Sequence, residues 1–296
     1  MPLSRRSLLT AGGALFGVGA AGAVGVQTEV LPGRSWFYQH LHIDGSVGVA
    51  PDVRSGRVVS GSFASKARGT EVGWSIAYPP HPPHGGRGLP LAVALHGRGD
   101  DHSTAFAPDQ VALNLFLADA VDHGVQPFAI ASVDGGDTYW HDRVSGDDAG
   151  TMVVDELIPM LARKGLDTSR LGFIGWSMGG FGALHFGMQL GAAKVRAVSA
   201  LSPAIWEQYA DSAPGAFDSE ADFAAMTPYG RQRQLDGIDL RIDCGESDPF
   251  YSHVKDYRAG FTHQPAGGFA LGAHSPTYWR RVMPAHVAML GHSLNA

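Results

Sequence analysis

Short apolar runs alternate with amphipathic stretches along most of this chain, and that alternation predicts strands and helices in turn. Residues 58–64 and 71–78 alternate between apolar and polar side chains, which predicts two leading strands that pair antiparallel. Continuous apolar runs predict buried strands further on, at 91–95, 128–133, 171–175, 195–199 and 240–244, with a short last strand at 269–272.

Helical patterns separate these runs, at 109–123, 150–164, 180–190, 250–261 and 276–290. Because strands and helices alternate, the sequence predicts an α/β fold in which a mostly parallel sheet of about eight strands carries helices on both faces. In such a sheet the catalytic loops lie at the carboxyl ends of the strands. The last predicted helix begins with a natural N-cap, Ser275, followed by Pro276.

Residues 203–237 break this rhythm, because aromatic side chains stand there among prolines, glycines and aspartates. We expect a small insertion over the functional site, or a helical cap. With this insertion included, residues 27–296 are expected to form a single domain, long enough for a large core.

Composition narrows the functional classes. Of 296 residues, 44% are hydrophobic and 17% charged, which is typical of a globular protein. The net charge of -6 gives no electrostatic basis for binding nucleic acid. Cys244 is the only cysteine, so neither an intrachain disulfide nor a cysteine zinc cluster is possible. The close histidine pairs at 40–42 and 81–84 lack the His-Glu-x-x-His pattern, and we expect no metal and no other cofactor.

Residues 1–26 have the pattern of a twin-arginine export signal. Arg5 and Arg6 precede a mildly hydrophobic stretch rich in glycine and alanine. The small residues Ala21 and Ala23 favour cleavage after Ala23, and an uncleaved membrane anchor is the alternative. The sequence therefore predicts an exported protein that is periplasmic, associated with the cell envelope, or secreted.

The segment Gly175-Trp176-Ser177-Met178-Gly179 follows a predicted strand and precedes a predicted helix. This layout is typical of a nucleophile elbow, a sharp turn that holds a serine at strained backbone angles. Residues two before and two after the serine approach the surrounding chain closely and must be small, as Gly175 and Gly179 are. Ser177 is therefore the candidate nucleophile.

A serine needs a base, and the base needs an acid that fixes its tautomer, in the chain order serine, acid, histidine. Asp248 follows the strand 240–244 and is the candidate acid, with Glu246 as the alternative. His274 is the candidate base, because it lies after the acid on a loop that leads into the last helix. The His286 side chain falls within that helix instead.

An oxyanion hole needs two N–H donors. The amide of Met178, at the start of the helix after the elbow, is one candidate, and the backbone N–H of Arg98, on the loop after strand 91–95, is the other. Aromatic side chains near these loops are candidates for binding substrate: Trp140, Trp206 and Trp279.

Three segments carry a family likeness: 175–184 (GWSMGGFGAL), 245–250 (GESDPF) and 274–279 (HSPTYW). Together they resemble the esterase D and antigen 85 mycolyltransferase group of the α/β-hydrolases, over roughly residues 58–290. The resemblance implies the α/β-hydrolase fold and the roles just described: Ser177, His274, Asp248 or Glu246, and the amides of Met178 and Arg98. The loop 96–101 departs from the mycolyltransferase pattern by beginning with histidine, which argues against recognition of trehalose.

The predicted function is an exported serine esterase that cleaves carboxylic esters through an acyl-enzyme. Its partners would be small-molecule, lipid or carbohydrate esters. One alternative is an acyltransferase that passes the acyl group to a sugar hydroxyl, since sequence does not separate water from sugar as acceptor. The other is a carbohydrate-binding member of the fold without catalytic activity.

Overall fold

The computed structural model describes residues 45–296, and its centre is a sheet of eight strands in the order β1-β2-β4-β3-β5-β6-β7-β8. The first two strands pair antiparallel, β2 pairs antiparallel with β4, and all further pairs are parallel. The predicted mostly parallel sheet is therefore confirmed. The strands are β1 (Val58–Ser65), β2 (Thr70–Ala77), β3 (Pro90–Leu95), β4 (Ala129–Val133), β5 (Asp167–Trp176), β6 (Val195–Leu201), β7 (Asp239–Gly245) and β8 (Ala266–Ala270).

Helices connect the parallel strands, as the alternating pattern predicts. A continuous helical segment between β4 and β5 consists of α2 (Ala149–Thr151), a π-helical stretch at Met152–Leu157, and α3 (Ile158–Arg163). The α-helices are α1 (Leu113–Asp122), α2 (Ala149–Thr151), α3 (Ile158–Arg163), α4 (Met178–Leu190), α5 (Glu220–Met226), α6 (Tyr251–Ala259) and α7 (Pro276–Leu294).

The central strand β3 is buried on both faces, and its side chains alternate between two hydrophobic layers. Leu91, Val93 and Leu95 belong to the layer that includes buried residues of α4. Ala92 and Ala94 face the layer formed with α1 and α7. Covering both faces in this way holds the strand ends rigidly, and the site described below is built on those ends.

The last strand lies earlier than the sequence predicts. The apolar run indicated 269–272, whereas β8 covers Ala266–Ala270. Its pairing with β7 begins at Arg241 and Ala266 and passes through two glycines that carry no hydrophobic signal. Backbone pairing with a neighbouring strand, rather than side-chain burial, therefore defines this strand.

Helix boundaries also differ from the sequence-based expectation, most of all at the start of the first helix and the end of the last. The helix predicted from residue 109 begins at Leu113, because Ala112 adopts a left-handed conformation with φ 56° and the preceding residues form turns. The last helix runs on to Leu294 rather than ending at 290. Its predicted start is confirmed: Ser275 accepts a hydrogen bond from the N–H of Tyr278, and Pro276 is the first helical residue.

Residues 203–237 form an excursion between β6 and β7 that contains two 3-10 turns and α5. Phe217 and Phe223 are buried within it. Phe217 packs against Phe181 of α4 with ring centroids 5.8 Å apart. The excursion therefore lies against the helix that begins at the predicted elbow.

The predicted export segment, residues 1–26, lies outside the described residues. Within residues 45–296, no helix combines the length and the hydropathy needed to cross a membrane.

Candidate active site

Chain loops that follow the parallel strands bring the sequence-predicted residues to one edge of the sheet. Arg98 follows β3, Ser177 follows β5, Asp248 follows β7 and His274 follows β8. Because the carboxyl ends of parallel strands share an edge, residues that are distant in sequence meet there.

Ser177 stands at a sharp turn between β5 and α4, with φ 57° and ψ −122°. A positive φ is uncommon for a residue with a side chain and costs conformational energy. The turn is held by the Ser177 N–H, which donates to the Leu201 carbonyl at 3.0 Å, and by the Ser177 carbonyl, which accepts from the Ala204 N–H at 2.9 Å. This is the geometry predicted for a nucleophile elbow.

The flanking glycines are required by close backbone contacts. A methyl group at Gly175 would lie 2.1 Å from the carbonyl oxygen of Gly179. A methyl group at Gly179 would lie 1.9 Å from the carbonyl oxygen of Leu95. Any larger residue at either position would therefore push the elbow away from β3 or from its own helix.

Asp248 and His274 are directly bonded. Nδ1 of His274 lies 2.8 Å from Oδ2 of Asp248, and the Asp248 side chain has no exposed surface. The other carboxylate oxygen, Oδ1, accepts the N–H of Phe250 at 2.9 Å. Since an ionised carboxylate only accepts hydrogen bonds, the neutral His274 imidazole carries its proton on Nδ1, and its Nε2 has the lone pair of a base.

The alternative acid, Glu246, is exposed. Its backbone N–H donates to the Ala270 carbonyl at 2.8 Å, which fixes the loop between β7 and α6. The structure thus brings Asp248, and not Glu246, to the histidine.

Two aromatic rings border the His274 imidazole. The ring centroid of Phe250 lies 5.3 Å away at an interplanar angle of 62°, and that of Trp279 lies 5.1 Å away at 88°. Both are edge-to-face contacts, the arrangement that aromatic pairs favour.

The amides of Met178 and Arg98 have the character expected of an oxyanion hole. Met178 is the first residue of α4, where backbone N–H groups have no partner inside the helix. Within residues 45–296, neither amide donates a hydrogen bond to another residue. Both N–H donors are therefore available to an acceptor, as the sequence-based hypothesis of an oxyanion hole requires.

His96 supports the loop that carries Arg98, a role that the sequence did not predict. Its Nδ1 donates to the Gly97 carbonyl at 2.7 Å, and its Nε2 accepts the Gly135 N–H at 2.9 Å. Burial lowers the pKa of the His96 imidazole, so the ring stays neutral and ties the loop after β3 to the loop after β4. The histidine at a strand end, next to glycine, was the signal available in the sequence.

The Arg98 side chain is exposed, and its guanidinium lies beside the buried phenol of Tyr139. Burial raises the pKa of Tyr139, and the charge of Arg98 opposes that rise. Tyr139 packs in turn against Trp206, with centroids 5.9 Å apart, and Trp206 against Phe250 at 5.5 Å. A row of aromatic rings therefore connects the loop that carries Arg98 with His274.

The three candidate substrate-binding tryptophans occupy different surroundings. Trp140 is fully buried, and a methyl group added at Gly182 would lie 2.6 Å from its ring. Trp206 is 5% exposed and Trp279 is 6% exposed. Trp206 contacts the ring of Phe250, which borders His274, and Trp279 contacts the His274 imidazole itself. Trp140 therefore forms part of the core beneath α4, whereas the other two line the side of the site that holds His274.

A family model described as "Putative esterase" matches residues 65–290. The chain belongs to this esterase family. The esterase resemblance predicted from the sequence is thereby confirmed. A comparison with curated protein sequences gives no match.

Solved structures of α/β-hydrolase esterases share the fold of this family member. A ferulic acid esterase is 18% identical, with a TM-score of 0.67, over 82% of this chain and 99% of its own. An S-formylglutathione hydrolase from Staphylococcus aureus is 15% identical, with a TM-score of 0.64, over 79% and 98%. A ferulic acid esterase from Anaeromyces mucronatus, solved with ferulic acid, is 16% identical, with a TM-score of 0.64, over 82% and 94%. The predicted α/β-hydrolase fold is confirmed.

Proposed function

We propose that this esterase-family member is a serine carboxylesterase in which Ser177, His274 and Asp248 form the catalytic triad. The observation that carries the proposal is the 2.8 Å bond between Asp248 and Nδ1 of His274, at the same sheet edge as a serine on a strained elbow. A serine hydroxyl becomes a competent nucleophile only with an oriented base of this kind.

In the first half of the reaction, Nε2 of His274 removes the proton of the Ser177 hydroxyl while the oxygen attacks the ester carbonyl. The carbonyl oxygen becomes an oxyanion, which the amides of Met178 and Arg98 bind. Protonated His274 then donates its proton to the departing alcohol, and an acyl-enzyme on Ser177 remains. Asp248 stays ionised throughout and stabilises the imidazolium.

In the second half, His274 accepts a proton from water, and the resulting hydroxide attacks the acyl group. The tetrahedral intermediate collapses to a carboxylic acid, and His274 returns the proton to Ser177. Each step balances with water as the only co-reactant, so the proposed chemistry requires no cofactor.

We further propose that the protein acts outside the cytoplasm, because residues 5–6 and the apolar stretch after them have the twin-arginine pattern. Its substrates would then be esters of the cell envelope or the medium. Fusing residues 1–26 to a reporter that functions only after export tests this directly. The matched control combines Arg5→Lys with Arg6→Lys, which keeps both charges, and unchanged export of that control would argue against the assignment.

The decisive experiment compares the wild-type protein with Ser177→Ala on p-nitrophenyl acetate and with a fluorophosphonate probe. We expect the variant to lose at least about 10³-fold in kcat/KM and to take up no probe. Wild-type turnover retained by Ser177→Ala would remove the assignment. Feruloyl esters and S-formylglutathione, the substrates named by the solved relatives, extend the same assay to substrate class.

A further inference from the structure

Trp279 lies in the first turn of α7, directly after the loop that carries His274. Its ring meets the His274 imidazole edge to face, at a centroid distance of 5.1 Å and an angle of 88°. Only 6% of Trp279 is exposed. The indole therefore contacts the imidazole but offers little surface to a substrate.

The indole is held in place by a hydrogen bond across the site. Its Nε1–H donates to Oγ of Ser202 at 3.1 Å. Ser202 immediately follows β6, and the preceding residue, Leu201, accepts the backbone N–H of Ser177 at 3.0 Å. One strand end thus fixes both the nucleophile elbow and the tryptophan that contacts the histidine.

Ser202 is itself rigid. Its N–H donates to the Asp243 carbonyl at 2.7 Å, its φ is 44°, and it is fully buried. Trp176, the residue before the nucleophile, also packs against the indole, with ring centroids 6.3 Å apart. Two contacts therefore connect the indole to the neighbourhood of Ser177: the hydrogen bond to Ser202 and the packing against Trp176.

The bond to Asp248 acts on Nδ1 of the imidazole. A hydrogen bond to one ring atom does not by itself fix the tilt of the ring, and small displacements of a reacting group are costly to rate. A packing contact that limits the tilt keeps Nε2 aimed at the serine hydroxyl. Trp279 supplies such a contact and is tied to the strand end that positions Ser177.

We propose that Trp279 is a positioning residue that orients the His274 imidazole toward Ser177, through its ring contact and its hydrogen bond to Ser202. The proposal rests on the proposed esterase function. It replaces the sequence-based expectation that Trp279 binds substrate. The two roles differ in kinetics, because a substrate contact changes KM according to the ester, whereas a positioning contact lowers kcat for every ester alike.

The test compares three variants across a panel of p-nitrophenyl esters of increasing acyl length. Trp279→Leu removes the ring and the N–H, and Trp279→Phe keeps a ring without the N–H. Ser202→Ala removes the acceptor, together with the contact between that hydroxyl and the Cys244 thiol. We expect kcat to fall about 10²-fold in Trp279→Leu and less than about 10-fold in the other two, with KM changed by less than about threefold for every ester. The Trp279→Phe and Ser202→Ala losses should not add in the double variant, because both remove the same hydrogen bond.

Trp74→Leu is the matched control, since Trp74 has the same 6% exposure and lies on β2, a strand that carries no candidate triad or oxyanion-hole residue at its end. We expect it to lower the unfolding midpoint in urea while kcat stays within about twofold of wild type. If Trp74→Leu and Trp279→Leu lose kcat equally, the loss comes from general destabilisation of the fold, and the proposal is overturned.

A spectroscopic measurement separates this proposal from the proposed function. The Nδ1 proton of His274, bonded to Asp248, gives a far-downfield proton NMR signal that does not depend on turnover. We expect the signal in wild type and Trp279→Phe, and its loss or broadening in Trp279→Leu. If the wild type shows the signal but neither hydrolyses esters nor takes up probe, the proposed function fails while the ring geometry stands.

If the wild type is active and Trp279→Leu keeps both its kcat and the signal, the positioning role is overturned and the esterase assignment is untouched. If Trp279→Leu raises KM for particular esters while kcat is unchanged, Trp279 binds substrate, as the sequence-based expectation had it. Should Trp279→Leu fail to fold, Trp279→Phe, Ser202→Ala and their double variant still decide the matter, since fully additive losses contradict a shared hydrogen bond.

Discussion

Asp248 binds Nδ1 of His274 at 2.8 Å with a carboxylate that has no exposed surface. A buried carboxylate in this place fixes the tautomer of the imidazole and stabilises its charged form during the reaction. Asp248→Asn keeps the shape of the side chain but allows the amide to donate toward Nδ1, which favours the wrong tautomer. We therefore expect kcat to fall by about 10³- to 10⁴-fold, measured on p-nitrophenyl acetate.

Glu246→Gln is the matched control for that experiment. Glu246 is exposed and comes from the same loop, so we expect its kcat to stay within about twofold of wild type. A larger loss of kcat in Glu246→Gln than in Asp248→Asn would mean that Glu246, and not Asp248, is the acid of the triad.

The elbow gives a second prediction, on stability. A methyl group at Gly179 would lie 1.9 Å from the Leu95 carbonyl oxygen and 2.7 Å from that of His96, and backbone atoms of a central strand end cannot move aside. We expect Gly179→Ala to lower the free energy of unfolding by about 3 kcal/mol, the upper end for overpacking. Urea denaturation, monitored by circular dichroism, measures this change in the free energy of unfolding.

Gly187 lies on the same helix and provides the control. The nearest atoms to a methyl group there would be side-chain methyl groups, those of Val198 at 2.7 Å, Leu235 at 2.8 Å and Ile238 at 3.9 Å. These can shift, and alanine gains about 1 kcal/mol over glycine in a helix. We expect Gly187→Ala to stay within about 1 kcal/mol of wild type, so equal losses in the two variants would contradict the steric account.

Features set by local chemistry were predictable from the sequence. The elbow needs only a strand, two small residues and a helix, and Ser275 with Pro276 marks a helix start without reference to the rest of the fold. Asp248 and His274 could be identified from the chain order of serine, acid and histidine, because in this topology the acid and the histidine each follow a strand end. The start of β8 was misplaced because it depends on pairing with β7.

Contacts between distant segments were not predictable. Nothing near Trp140 in the sequence indicates that Gly182 makes room for its ring in the core. His286 was correctly placed in the last helix, but its partners are Ser199 on β6 and Asp243 on β7. Such contacts follow from how helices and strands pack, which a local pattern does not encode.

The Ser199–His286–Asp243 cluster has the composition of a catalytic triad and leads to a third prediction. Ser199 Oγ lies 2.5 Å from Nδ1 of His286, and Nε2 lies 3.0 Å from Asp243. Ser199 and His286 have no exposed surface, so no ester can reach them. We expect mass spectrometry of fluorophosphonate-treated protein to find the probe on the Ser177 peptide alone, and modification of Ser199 would contradict this account.

Ser199→Ala complements that measurement. Probe uptake should match wild type, whereas the free energy of unfolding should fall by about 1–3 kcal/mol because a buried imidazole nitrogen loses its donor. The cluster would thus stabilise the packing of α7 on the sheet without taking part in chemistry. A loss of probe uptake with unchanged stability would contradict that assignment.

His185 makes stability depend on pH. Desolvation by partial burial, with a smaller effect of the neighbouring His141, lowers the pKa of His185 to about 4. Its ring stacks on Phe181, with ring centroids 6.1 Å apart and an interplanar angle of 6°. An unfolded histidine has a pKa of about 6.5, so between pH 6.5 and 4 the unfolded chain binds a proton that the folded chain does not. The contribution of His185 to stability is therefore full above pH 6.5 and is lost as the pH falls from 6.5 to 4, by at most about 1.4 kcal/mol per pH unit.

Replacing His185 by phenylalanine keeps the stacked ring and removes the titration. We expect His185→Phe to match wild type within about 1 kcal/mol at pH 7.5 and to lose less stability between pH 6.5 and 4.5, measured as urea midpoints. His123→Phe is the control, because that side chain is 76% exposed and should leave the slope unchanged. Burial also lowers the pKa of His96 and His286, so part of the acid sensitivity remains in every variant. Identical slopes for wild type and His185→Phe would mean that folding does not lower the pKa of His185.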